Sequence, residues 1–98
     1  MAVIVVSDLP GATREQYEEA VDRLTGGSGL NRPEDWPVRG LLTHAAGPLP
    51  DGAGWHVTDV WESREAYQHF AAVLLPILRE VGIVSGPPLI CEAHNVVR

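Results

Sequence analysis

Val3, Ile4, Val5 and Val6 put branched apolar side chains on both faces of whatever strand they form, because successive strand residues point to opposite sides. The stretch "WHVTDVW" does the same, with Trp55, Val57 and Trp61 on one side and Val60 on the other. A sheet built from such strands needs a cover on each face. That requirement decides what the rest of the chain has to supply.

The first strand, Ala2 to Val6, is ended by the turn-forming "SDLPG". In "TREQYEEAVDRLTGG" Thr13 and Gln16 form a capping box, Tyr17, Ala20, Val21 and Leu24 follow helical spacing, and Gly26-Gly27 stops the helix. "SGLNRPEDWP" reads as a loop, "VRGLLTHAA" as a second strand and "GPLPDGAG" as the turn before the third. Ser63 caps a second helix, whose stripe of Phe70, Val73, Leu74, Ile77, Leu78 and Val81 holds Pro76, so a kink or break is expected near Val73. A last strand follows in "LICEAHNVV".

The order β-α-β-β-α-β predicts an α+β, ferredoxin-like domain spanning residues 1–98, with one antiparallel four-stranded sheet and both helices on one face. Two helices cover only that face. The other is most simply covered by a second copy packed sheet to sheet about a two-fold axis, closing an α/β barrel. A homodimer is therefore the expected assembly.

Charge narrows the partners. Seven arginines stand against 13 acids, no lysine is present, and the formal net charge is −6, which repels phosphate backbones and anionic lipid surfaces alike. Neither nucleic acid nor membrane is an expected partner. The single cysteine, Cys91, offers no internal disulfide and no zinc pair, and the apolar start of the chain ends at Val6 without a basic leader, so a cytoplasmic location is expected.

"DVWESREAYQHF", the preceding "GLLTHAAGPLPDGAGWHV" and the closing "EAHNVV" resemble the dimeric α/β-barrel superfamily, and within it the antibiotic-biosynthesis monooxygenase-like proteins of actinobacteria. The resemblance follows element order over nearly the whole chain, and "VWESREAY" is its most specific piece. It implies two ferredoxin-like protomers packed sheet to sheet, with a cavity between each sheet and its helices or within the barrel. It also implies a range of activities: cofactor-independent oxygenases of aromatic polyketides, cyclases, heme-degrading enzymes and isomerases. Fold alone does not choose among them.

Asp59 is the residue that most needs explaining. It shares a strand face with Trp55, Val57 and Trp61, where a carboxylate is costly to ionise unless a cation or donor stands beside it. A general base in a cavity and an acceptor for an indole N–H both fit. His44 is expected to meet the start of the third strand, toward Trp55 or Val57. His94 is expected on the last strand, on the face of Ile90, Glu92 and Val96. Both are candidate proton carriers with Asp59, and satisfied structural donors otherwise. Trp55 and Trp61 are candidate walls for a flat ligand or simple core, Trp36 a candidate lid, and Glu92 and Tyr67 candidate substrate contacts. Arg39 is a weaker polar candidate, and His56 points away from Asp59.

The types of His44, Asp59 and His94 match an iron-binding facial triad, but their spacing is not that of a ligand set, so neither metal nor cofactor is expected. No serine sits in a nucleophile elbow. Two readings remain. One is a cofactor-independent monooxygenase or cyclase that takes a proton from an aromatic, polyketide-like substrate. The other is a non-catalytic ligand-binding or structural dimer; a heme-binding version needs an open histidine and an apolar slot.

Overall fold

The structure, a computed structural model, describes residues 1–97. Six main elements follow the expected order: β1 (Val3–Pro10), α1 (Arg14–Thr25), β2 (Leu41–Pro48), β3 (Gly54–Trp61), α2 (Arg64–Glu80) and β4 (Leu89–Glu92), with short 3-10 turns at Pro33–Asp35 and Pro50–Gly52. The four strands form one antiparallel sheet in the order β2-β3-β1-β4. Val3, Val5 and Leu9 of β1 and Trp55, Asp59 and Trp61 of β3 lie on one face, buried with Ala20 and Leu24 of α1 and Ala66, Phe70 and Leu78 of α2. Both helices therefore cover that face, giving the ferredoxin-like arrangement.

Local chemistry accounts for the element ends. The Thr13 hydroxyl accepts from Gln16 N at 3.1 Å while Gln16 Oε1 accepts from Thr13 N at 3.0 Å, satisfying two of the donors that a helix start leaves free. Gly26, with φ of 66°, closes α1 in the left-handed conformation. Ser63 caps α2 through Ala66 N at 3.0 Å.

Three expectations about element extent are corrected. First, β1 runs four residues beyond Val6, to Pro10, because β3 is long enough to pair Ser7, Asp8 and Leu9 with Val57, His56 and Trp55. Ladder pairing overrides the turn preference of "SDLPG". Second, β4 stops at Glu92 instead of reaching Val97. Its antiparallel partner β1 begins at Val3, opposite Glu92, and after Ala93 N donates to Ala2 O at 2.9 Å no ladder partner is left. Third, α2 is continuous through Pro76. The proline costs one N–H, whose acceptor would be the Ala72 carbonyl; Ala72 and Pro76 both face solvent, where water takes the place of the lost bond.

The core divides into two clusters. One joins Trp61, Phe70, Val3, Val5, Leu24, Leu41 and Trp36; the other joins Leu9, Ala20, Trp55, Leu78 and Ile83. Trp61 stacks on Phe70 with ring centroids 4.9 Å apart, and both are fully enclosed. Burying each such ring contributes roughly 1.5–3 kcal/mol. On the far face Ile4, Val6 and Val60 are half-buried and Leu89 is 66% exposed, an apolar patch with no helix over it, while Asp8, His56 and Thr58 make the other end of that face polar. Among the described residues, no helix is long and apolar enough to cross a membrane.

The end of the β1–β3 ladder gives a stability test. Gly54 has φ of 145°, and a Cβ there would lie 2.3 Å from the Leu9 carbonyl oxygen. Gly54→Ala should cost about 2–3 kcal/mol in urea unfolding. Gly47→Ala, at a position with no atom within 4 Å of the added carbon, should change stability by less than about 0.5 kcal/mol. Equal effects at the two positions would contradict the close approach.

Candidate functional site

Asp59 is the single charged residue buried among those described, at 5% exposure. Its carboxylate is held from two sides. His44 Nδ1 lies 2.6 Å from Oδ1, and the Trp61 indole N–H reaches toward Oδ2 at a longer 3.4 Å. The far nitrogen of His44, Nε2, meets the Tyr17 hydroxyl at 2.6 Å. One protonation pattern satisfies both short bonds with a neutral ring: Nδ1–H donates to Asp59, and Nε2 accepts from the Tyr17 O–H. Tyr17, His44 and Asp59 thus form a hydrogen-bonded line from α1 through β2 to β3.

A β-bulge gives His44 its place. Leu41 pairs with Trp61 but Thr43 pairs with Val60, so Leu42 is an extra residue in β2. Strict alternation from the buried Leu41 would turn His44 to the far face. The inserted residue restores it to the face of Asp59, directly opposite it in the ladder. This corrects the expectation that His44 meets Trp55 or Val57; those residues pair with Pro48 and Ala46. It also identifies His44 as the histidine that meets Asp59.

The line borders a cavity of about 90 Å³ between sheet and helices. Its walls are mostly apolar, with Val5, Val57, Leu24 and Phe70 among them, and its polar groups include Tyr17, His44, Asp59 and Tyr67. Burial first, and the nearby Asp59 charge second, push the Tyr17 phenol up to about 12. The same two causes in the same order raise Tyr67. Tyr17 is therefore held as a proton donor across the ordinary pH range.

The other candidates divide. Trp36, carried on the loop after the Pro33–Asp35 turn, lines the cavity, stacks on Phe70 at 5.4 Å and stands 5.5 Å from the His44 ring. Its buried indole N–H has no acceptor among the described residues. Tyr67 also lines the cavity, and its ring meets Trp61 edge-on. Trp61 itself is fully enclosed, so a ligand cannot stack on it; it serves the site by its N–H. Trp55 packs behind Tyr17 at 5.4 Å in the second cluster.

His94 and Glu92 do not join the site. His94 follows the end of β4 and is exposed, and Glu92, though opposite Val3, is exposed on an edge strand. The shortness of β4 is the reason for the first. Arg39 is exposed in the loop before β2. His56 bonds Asp8 Oδ1 at 2.6 Å on the far face, away from Asp59 as alternation requires. Among the described residues no group of three or more His, Cys, Asp or Glu is placed to hold a metal ion, and His44, Asp59 and His94 do not converge. Tyr17 was not anticipated from sequence as a site residue. Its signal is its position: it belongs to the core-facing set with Ala20 and Leu24, where a phenol hydroxyl needs a partner.

No protein-family model matches the sequence, and comparison with curated proteins finds no significant match. Solved structures do match. A monooxygenase from the gene ActVA-Orf6 of Streptomyces coelicolor, in complex with nanaomycin D, is 23% identical with a TM-score of 0.59, covering 99% of this chain and 90% of that one. SnoaB, a cofactor-independent oxygenase from Streptomyces nogalater, is 14% identical with a TM-score of 0.60, covering 98% and 95%. A proposed antibiotic biosynthesis monooxygenase from Chloroflexus aurantiacus is 14% identical with a TM-score of 0.61, covering 100% and 98%. At these identities the likeness is one of fold: the chain has the ferredoxin-like fold of the antibiotic biosynthesis monooxygenase-like proteins.

The raised phenols are open to direct titration. In a Tyr67→Phe background, phenolate absorbance should show Tyr17 ionising near pH 12, and Asp59→Asn should bring it only part of the way back, because burial is the larger cause. The folded value lies above the unfolded value of 10.0, so the stabilisation is complete below pH 10 and is lost as pH rises toward 12. Tyr17→Phe should flatten that decline. Ionisation of Tyr17 at an ordinary phenol value would break the line as described.

Proposed function

We propose that this protein is a cofactor-independent monooxygenase acting on a flat aromatic, polyketide-like substrate, with His44 as the base that opens the reaction. The observation that carries the reading is the Tyr17–His44–Asp59 line, two contacts of 2.6 Å beside an apolar cavity. A buried carboxylate behind an imidazole favours the imidazolium that forms when the ring takes a proton. Support of a broader kind comes from fold neighbours that include SnoaB, described as a cofactor-independent oxygenase, and the ActVA-Orf6 monooxygenase in complex with nanaomycin D.

The chemistry asked of these residues is modest. A ring system with an acidic C–H beside a carbonyl gives its proton to Nε2 of His44, either after the substrate displaces the Tyr17 hydroxyl or through it, Tyr17 accepting one proton as it passes its own to Nε2. The substrate anion then attacks molecular oxygen, and the peroxide anion takes back the proton held on His44. The hydroperoxide so formed loses water and leaves a carbonyl where the CH2 stood: one O2 is consumed and one water released. The protein holds the ring, stabilises the anion and excludes bulk water. The indole N–H of Trp36, lacking an acceptor, is a chemical match for a substrate carbonyl oxygen. Cyclisation or isomerisation of a similar substrate would begin with the same proton transfer.

A second reading has its own support. Both oxygens of Asp59 face protein donors, and the cavity is smaller than the roughly 300–1,000 Å³ usual for ligand pockets, as a non-catalytic binding dimer would have it. Oxygen uptake with an anthrone-type substrate separates the two. His44→Ala and Asp59→Asn should each lower the rate by about 10²–10⁴-fold, while ligand-induced quenching of tryptophan fluorescence persists. Binding without turnover in the wild type would leave the second reading standing.

The uncovered far face completes the proposal. Ile4, Val6, Val60 and Leu89 suit a homodimer packed sheet to sheet. Sedimentation should show a dimer, and Val60→Arg should shift it to monomer. A monomeric wild type at micromolar concentration would remove the dimer and leave the site untouched.

A further inference from the structure

His44 is a wall of two spaces. One is the apolar chamber; the other is a cleft of about 270 Å³ between Leu30–Pro33 and the β2 residues Leu41, Thr43 and His44. The chamber alone, at about 90 Å³, does not take a fused ring system of ordinary size. Chamber and cleft together reach the lower end of the range typical of small-molecule pockets, roughly 300 Å³.

We infer that a single ligand spans both spaces across His44, its rings toward the chamber and a carboxylate in the cleft, so that the substrate class is an aromatic acid. This inference rests on the function proposed above and names the substrate class for that site. The cleft has a different character from the chamber. Arg32 and Asn31 line it, and Arg32 is the only permanent cation among the described residues that do.

The charge on Arg32 is only loosely engaged. Its Nε makes a long ion pair with Asp35 Oδ1 at 3.7 Å, and its side chain is 75% exposed, where such a pair is weak. Asp35 is held chiefly by the backbone: its Oδ2 accepts from Asn31 N at 2.9 Å and Arg32 N at 3.2 Å, and these donors, Asn31 first, with a smaller share from the Arg32 side chain, hold its carboxyl below the usual range. Asp35 therefore anchors the backbone of the loop first and engages the arginine through one long contact at Nε. A guanidinium matches a carboxylate by two parallel N–H donors. A doubly charged phosphate is less suited, since one local cation would face it against a formal net charge of −6.

The test compares anthraquinone-2-carboxylate with its methyl ester by tryptophan fluorescence quenching at low salt. The wild type should bind the acid about fivefold more tightly, the size expected of an exposed charged pair. Arg32→Gln should abolish that preference and leave ester affinity unchanged, and added salt should weaken only the acid. Equal affinities in the wild type, or a preference that survives Arg32→Gln, would overturn the inference while leaving the proposed function in place, because ring binding would persist. Failure of both compounds to bind would overturn both.

Discussion

A carboxylate sealed under two helices is the constraint on which the rest of this structure depends. An unpaired charge in that position would cost several kilocalories. Asp59 is kept there by donors drawn from separate elements, an imidazole on β2 and an indole two residues along its own strand. Neither arrangement is casual. The imidazole arrives only because β2 carries an extra residue at Leu42, and the indole is fixed because Trp61 is locked against Phe70. The bulge and the most deeply buried ring in the protein both bear on the same two oxygen atoms.

From that pair the line extends to α1. Tyr17 stands at a core-facing position, stacked on Trp55 on one side, with its hydroxyl on His44 Nε2. Its burial works in two directions. It keeps the phenol protonated, so the hydroxyl donates to Nε2 and the imidazole is held in one tautomer. It also occupies His44 Nε2, so that in the proposed reaction a substrate would either displace the hydroxyl or use it. A small cavity is consistent with this contact, since the groups that would meet substrate already meet one another. The two clusters of the core pack on either side, and the cavity is the gap that remains between them.

Much of this was legible in the chain, and the exceptions have physical causes. Period-two alternation placed Asp59 with Trp55 and Trp61, and sent His56 to the other face, because β3 is regular over its whole length. Alternation could not place His44, since a bulge breaks the period without a glycine or proline to mark it: Leu41, Leu42 and Thr43 are ordinary strand residues. His94 was misplaced for a different reason. The apolar "NVV" reads as strand, but strand existence depends on a partner, and β1 begins too late to provide one. Tyr17 was visible as a helix residue and not as a site residue, because helical periodicity reports which side faces the core and not what the core contains at that depth.

The two faces of the sheet carry separable tasks. Asp59, His44 and the cavity lie under the helices, whereas Val60, Ile4 and Val6, one step along in the same strands, point the opposite way. Association through the far face would cover the apolar patch of Ile4, Val6 and Val60 on the side of the sheet opposite the line. The edge strand β2, which carries both the bulge and His44, pairs only with β3, so a single ladder sets the proposed base against Asp59.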